Sequence, residues 1–190
     1  MSVKPNDARD RDADTGEPVY TYLINQREEI VSVSDSWIEF ALENNARELV
    51  DIVGRSLYEF IGHKEVSDFY RHLVEKVRRT GGALLVPFRC DGPTIRRFME
   101  LLIERNGEDI KFEGRTVRTE PRDSVSLFDP LIERAGDKLE ACSVCQNLHL
   151  DGSWVDLEIA LRTRKLFYRN SSPNLDYSIC PRCKEKPVFS

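Results

Sequence analysis

Long apolar runs are missing from this sequence: no stretch approaches the length needed to span a bilayer, which excludes a membrane-spanning helix as its organising element. A secretory signal is missing too, so we expect a cytoplasmic protein in a reducing compartment, where paired cysteines serve more often as metal ligands than as cystines. Excess positive charge is absent as well. The formal net charge of -5 argues against a chain devoted as a whole to nucleic acid, although a local basic patch is compatible with it. Nor is there a Ser-His-Asp arrangement, a Walker loop, a dinucleotide fingerprint or a paired catalytic carboxylate. We therefore expect a protein that binds rather than one that catalyses.

What is present is ordinary in amount and unusual in placement. The 190 residues, 40% of them hydrophobic, suit one domain with an appendage or two small domains. Four of the five cysteines form two identical turns, Cys142-Ser-Val-Cys145 and Cys180-Pro-Arg-Cys183. A Cys-x-x-Cys turn brings two sulfurs to one side of a backbone reversal, so two such turns offer four thiolates to one tetrahedral ion. Zinc is the first candidate, since it accepts four Cys ligands without a d-electron preference and then keeps no open position. Such a site is structural, and its metal contributes folding energy to a tail too short for a large core of its own. A disulfide pair and a thiol redox switch are the alternatives; a thioredoxin-like pair is disfavoured because no βαβ pattern surrounds either turn. His149, four residues beyond Cys145, is a spare ligand.

Residues 1–18 hold almost nothing to bury, and a disordered arm is expected there. Val19-Tyr-Thr-Tyr-Leu-Ile24 and Ile30-Val-Ser-Val-Ser34 are β-prone runs separated by polar residues, which predicts a hairpin. Ser36-Trp-Ile-Glu39 has capping-box spacing, with Trp37, Phe40 and Ala41 on one helical face. Val66, Phe69, Tyr70, Leu73 and Val77 recur at helical intervals and predict a longer helix, stopped by Thr80-Gly-Gly82. Strands are predicted over 83–90, 95–104 and 110–119, with Asn106-Gly107 as a hairpin cue between the last two. Further on, Ser153-Trp-Val-Asp156 has capping-box form, and Trp154, Leu157 and Leu161 make a helical stripe.

Two strands, helices, then three strands imply one antiparallel sheet with its helices gathered between the second and third strands. On this order, and on Gly54-Arg-Ser-Leu-Tyr-Glu-Phe-Ile61, residues 19–122 resemble a PAS domain. Phe88-Arg-Cys-Asp-Gly-Pro-Thr-Ile-Arg-Arg-Phe-Met-Glu100 is similar to a run in bacterial PAS-like proteins that often have Ser where Gly92 stands. Cys142-Ser-Val-Cys145, Asp151-Gly-Ser-Trp154, Glu158 and Ile179-Cys-Pro-Arg-Cys183 resemble a tail that follows PAS domains in bacterial sensory proteins. Such tails commonly read Ser-His-Gly-Ile-Cys-Pro, whereas Asp176-Tyr-Ser-Ile-Cys-Pro181 has no His. The implied fold is α+β: a PAS-like five-stranded antiparallel sheet with helices on one face, plus a small C-terminal segment binding zinc through four cysteines. The implied boundaries are 1–18 for the arm, 19–122 for the PAS-like domain, 123–141 for a linker or helix and 142–190 for the cysteine segment.

The resemblance implies a pocket that holds haem, flavin, a metabolite or nothing. Flavin is disfavoured because Cys90 does not lie in the Asn-Cys-Arg-Phe helix motif of the light-sensing relatives, and haem because His63 and His72, its only histidine ligands there, read as surface or structural residues. Cys90 is a thiol that Arg89 would activate, or a small buried residue. Arg96 and Arg97 point to opposite sides of a strand, so at most one of them anchors an acidic metabolite; the favoured reading is a surface arginine ion-paired with a neighbour. Between residues 162 and 186 seven basic residues face two acidic ones, which suits a solvated face or, alternatively, a transcription-associated nucleic-acid binder. The expectation is a non-enzymatic module of signal transduction that acts by changing contacts with a protein partner or a second copy of itself, through an exposed apolar sheet face or the N-terminal segment.

Overall fold

The computed structural model describes residues 18–129, 131–164, 171–185 and 188–189. All but the last residue of the arm expected at 1–18 lie outside them, as do Lys165, Arg169 and Lys186 of the basic run. The first sheet contains β1 (Val19–Ile24), β2 (Ile30–Val33), β3 (Leu84–Arg89), β4 (Ile95–Asn106) and β5 (Asp109–Pro121). They pair antiparallel in the order β3-β4-β5-β1-β2, as the alternating sequence implies. A sixth strand, β10 (Val188–Phe189), comes from the far end of the chain and pairs with β3 at the sheet's edge. It carries no periodic signal of its own, being only two residues long.

The connections follow their local chemistry. In the β1–β2 turn Asn25 Oδ1 accepts from the backbone N–H groups of Arg27 and Glu29, at 2.8 and 3.1 Å, a side chain standing in for a backbone turn. Helix α1 (Asp35–Glu43) is capped by Ser34, whose side chain accepts from Trp37 N. Ser36, expected as the cap, donates instead to the Val19 carbonyl. Helix α2 (Lys64–Thr80) buries Val66, Leu73, Val74 and Val77 and stops at Gly81, which takes the left-handed φ of 68° that a residue with a Cβ resists. Between β4 and β5 the turn is Gly107-Glu108, with Gly107 at φ 64°.

The two faces of the first sheet differ. Leu101, Ile103, Ile110 and Phe112 point toward α2 and are buried. Their neighbours on the opposite face form cross-strand charge pairs, Glu100 with Arg115 at 2.6 Å and Glu104 with Lys111 at 3.8 Å. That face carries these charge pairs beside the partly exposed Leu23, Leu85 and Leu102.

The second sheet contains β6 (Arg134–Cys142), β7 (Leu148–Leu150), β8 (Ser153–Val155) and β9 (Ser172–Ser178), in the order β8-β7-β6-β9. Here the structure departs from the expectation of a linker or helix over 123–141: the stretch holds a short 3-10 turn at Ser126–Phe128 and then most of β6. Leu139 and Ala141 alternate along that strand and both meet the second core, a period of two rather than 3.6. The helix expected from Ser153 also starts later. Asp151 and Gly152 both take positive φ, 50° and 78°, in a two-residue hairpin turn, so Ser153 and Trp154 become strand. Helix α3 (Leu157–Thr163) is capped by Asp156, whose carboxylate accepts from Glu158 N at 2.9 Å.

Two apolar cores result. The smaller, around Leu127, Leu148, Leu157 and Leu161, lies under the second sheet. The larger joins the first sheet and α2 to Cys142, Val144, Ile179, Cys180 and Cys183, so the cysteine segment shares a core with the first sheet. We predict that the metal-loaded chain unfolds in one transition. Single-tryptophan variants keeping Trp37 or Trp154 should report one midpoint in denaturant, and Ile179→Ala, at a buried position, should shift both by about 2–5 kcal/mol.

Candidate metal centre

Parallel pairing assembles the cysteines. β9 runs beside β6 with Cys142 opposite Ser178, so the chain leaving β9 delivers Cys180 two residues later to the turn that leaves β6. Parallel neighbours need a long crossover, which β7, β8 and α3 supply. The first turn is closed by Gln146 N donating to Cys142 O at 2.9 Å and Cys142 N donating to Asn147 O at 2.8 Å. Gln146 occupies the left-handed region, φ 63°, to complete that reversal. In the second turn Cys180 caps the short helix α4 (Pro181–Lys184). Pro181 sits at the first helical position, where a missing N–H costs nothing.

The four sulfurs lie within 4.8 Å of one another. A tetrahedral ion with bonds of about 2.3 Å requires ligand sulfurs about 3.8 Å apart, and Cys145 Sγ and Cys180 Sγ are separated by 3.7 Å. Cys142, Cys180 and Cys183 are buried and Cys145 is half-buried, with all four in the free thiol form. The donor set and its spacing fit a metal ion such as zinc. His149 is not part of it: its Nδ1 lies 2.8 Å from Glu140 Oε2.

The electrostatics of the group follow from crowding. Hydrogen bonds from the Cys145 and Cys183 thiols lower the Cys142 pKa, with the Cys180 backbone N–H, 3.4 Å from its sulfur, assisting. The same hydrogen bonds hold protons on the other two: Cys145 is pushed up to about 12 and Cys183 is raised as well, each first by its bond to Cys142. Tyr70 of α2 is pushed up to about 12, by burial and then by the charge of Cys142. Tyr70 packs against the larger core to which the cysteines belong, and Arg89 N of β3 donates to Val144 O at 2.8 Å inside the first turn.

The other residues singled out in the sequence are separated. Arg96 and Arg97 do face opposite ways. Arg96 reaches Glu120 and Glu158, both at 3.2 Å, whereas Arg97 donates to the Cys90 carbonyl at 3.3 Å and lies over the Phe40 ring. Cys90 has its thiol pKa raised by burial, with Arg97 opposing. Arg89, the expected activator, is paired instead with Asp91. An apolar cavity of about 200 Å³ lies between the first sheet and its helices, lined by residues including Tyr22, Trp37, Leu57, Phe60 and Tyr70. Neither His63 nor His72 lines it. His63 precedes α2 with Nδ1 3.0 Å from Asp176 Oδ1, and His72 is exposed.

Sequence reasoning missed a buried ionic group. The fully buried Asp91 carboxylate accepts from Arg122 at 3.2 Å as well as from Arg89, and Glu158 on α3 accepts from Arg122 at 3.0 Å. Arg122 was in no motif, and its partners lie 31 and 36 residues away. The one available signal was that Asp91 and Glu158 both occur in the quoted likenesses.

No protein-family model matches this sequence, and no curated protein matches it.

The thiol protons set a pH dependence. Metal uptake must displace the protons held on Cys145 and Cys183, so affinity rises with pH and falls on acidification. Competition with a chromophoric chelator should show zinc released progressively from about pH 8 to about pH 6. An affinity independent of pH across that window would contradict ligation by all four thiolates.

Proposed function

We propose that this chain is a non-enzymatic, PAS-like signalling or interaction module whose C-terminal segment is held to its sheet by a structural zinc ion. The observation that carries the reading is the set of four clustered cysteine sulfurs within the same core as the first sheet. Four thiolate ligands would leave zinc no position for a substrate or a water, so the ion's work would be folding and fastening. The PAS-like part of the reading is supported by the element order: two strands, helices and three strands in one antiparallel sheet, enclosing an apolar cavity. A bacterial sensory role in a reducing cytoplasm follows from the same likeness, with a protein partner or a second copy receiving the signal.

The nucleic-acid reading has less support. Of the described basic residues in the tail, Arg164 lies 2.5 Å from Asp151 and Lys184 lies 2.5 Å from Glu65, which leaves Arg162 and Arg182 without an ion-pair partner among the described residues. Such pairing lowers the charge available to phosphates.

Hydrogen exchange of the full chain, as purified and after chelation, tests the proposal alongside elemental analysis and an absorption spectrum. We expect one zinc per chain, no visible band, and protection in β6, β9 and Cys180–Cys183 that is lost with the metal. Protection that survives complete removal of the metal, or a visible chromophore, would overturn the assignment.

A further inference from the structure

A cleft of about 470 Å³ opens where the end of the first sheet meets α3, lined by Arg96, Pro121, Arg122, Asp123, Glu158 and Arg162. It lies apart from both the cysteine centre and the apolar cavity, and it does not depend on either. Three guanidinium groups face it against two carboxylates. The Arg122 side chain is only 3% exposed, yet its Nε finds no hydrogen-bond acceptor. Arg96 Nε is also buried without an acceptor: it lies 3.2 Å from a Glu158 oxygen but is not aligned to donate to it. Both Nε atoms are enclosed by the chain, and the two guanidinium groups are already paired, Arg96 with Glu120 and Glu158 and Arg122 with Asp91 and Glu158, so the cationic groups within reach of an occupant are those of Arg96, whose side chain is 27% exposed, and Arg162. Arg162 is exposed at the cleft, one helical turn beyond Glu158, and has no ion-pair partner among the described residues. It is free to reach an arriving anion.

We propose that this cleft binds the carboxylate or phosphate group of a small metabolite. An oxyanion offers acceptors to the exposed guanidinium groups of Arg96 and Arg162, and arginine's planar fork suits it. The volume falls within the range of small-molecule sites. Because Arg96 and Arg122 belong to the first sheet's end while Arg162 belongs to α3, an occupant adds contacts across the junction of the two sheets. Binding there stabilises their docked arrangement, which gives the module an input that its partner surfaces can read.

Calorimetric titration of the metal-loaded full chain with inorganic phosphate and, separately, with succinate, in chloride buffer of constant ionic strength, tests this. Arginine Nε–H signals are followed by NMR in the same samples. We expect saturable one-site binding of at least one of the two anions, with the Arg96 and Arg162 Nε–H signals moving. Phosphate alone identifies a phosphorylated ligand, and succinate alone a carboxylate. Arg162→Ala should weaken binding at least tenfold without changing the melting temperature of the unliganded protein, and Arg162→Lys should weaken it less. The proposal is overturned if neither anion saturates, if Arg162→Ala binds as tightly as the parent, or if a single-stranded oligonucleotide binds where both small anions fail.

Discussion

Parallel pairing of β6 with β9 is the constraint on which the C-terminal half depends. The register that sets Cys142 beside Ser178 decides where Cys180 arrives, and a shift of one residue would turn the strand's side chains to the other face. Yet a parallel pair must close a long loop, and the core under the second sheet is small. An ion held by the four thiolates at the end of both strands would supply what is missing, locking the register at its downstream end and converting binding free energy into folding free energy.

The cysteine segment is fastened to the first sheet by contacts of several kinds. The first cysteine turn takes a backbone bond from β3, β10 extends the same sheet at that strand's edge, and Arg122 joins Asp91 and Glu158 across the junction. These contacts differ in kind. Buried ion pairs add little net stability, since desolvation offsets attraction, but losing one partner costs about 3–5 kcal/mol. The ionic group gives Glu158 of α3 its charge partners, Arg96 and Arg122, at the end of the first sheet. The apolar core provides most of the free energy.

The first sheet and α2 were legible because each carries its period over a long segment. Val66, Leu73 and Val77 mark a helix stripe, and the strands to either side of Asn106-Gly107 carry alternating apolar residues. The four cysteines were legible from spacing alone. What escaped was the second sheet, whose short strands give a periodic signal too brief to read. At Ser153 two local codes competed. A capping-box spacing suggested a helix start, but Asp151-Gly152 makes a hairpin turn with both residues at positive φ and commits the next residues to strand. Nothing local could reveal the ionic group, since Asp91 and Glu158 come together only through tertiary folding.

X-ray absorption at the zinc edge of the protein as purified counts and identifies the ligands of the metal. A single shell of four sulfurs at about 2.3 Å is expected. A shell containing nitrogen or oxygen, or fewer than four sulfurs, would contradict it.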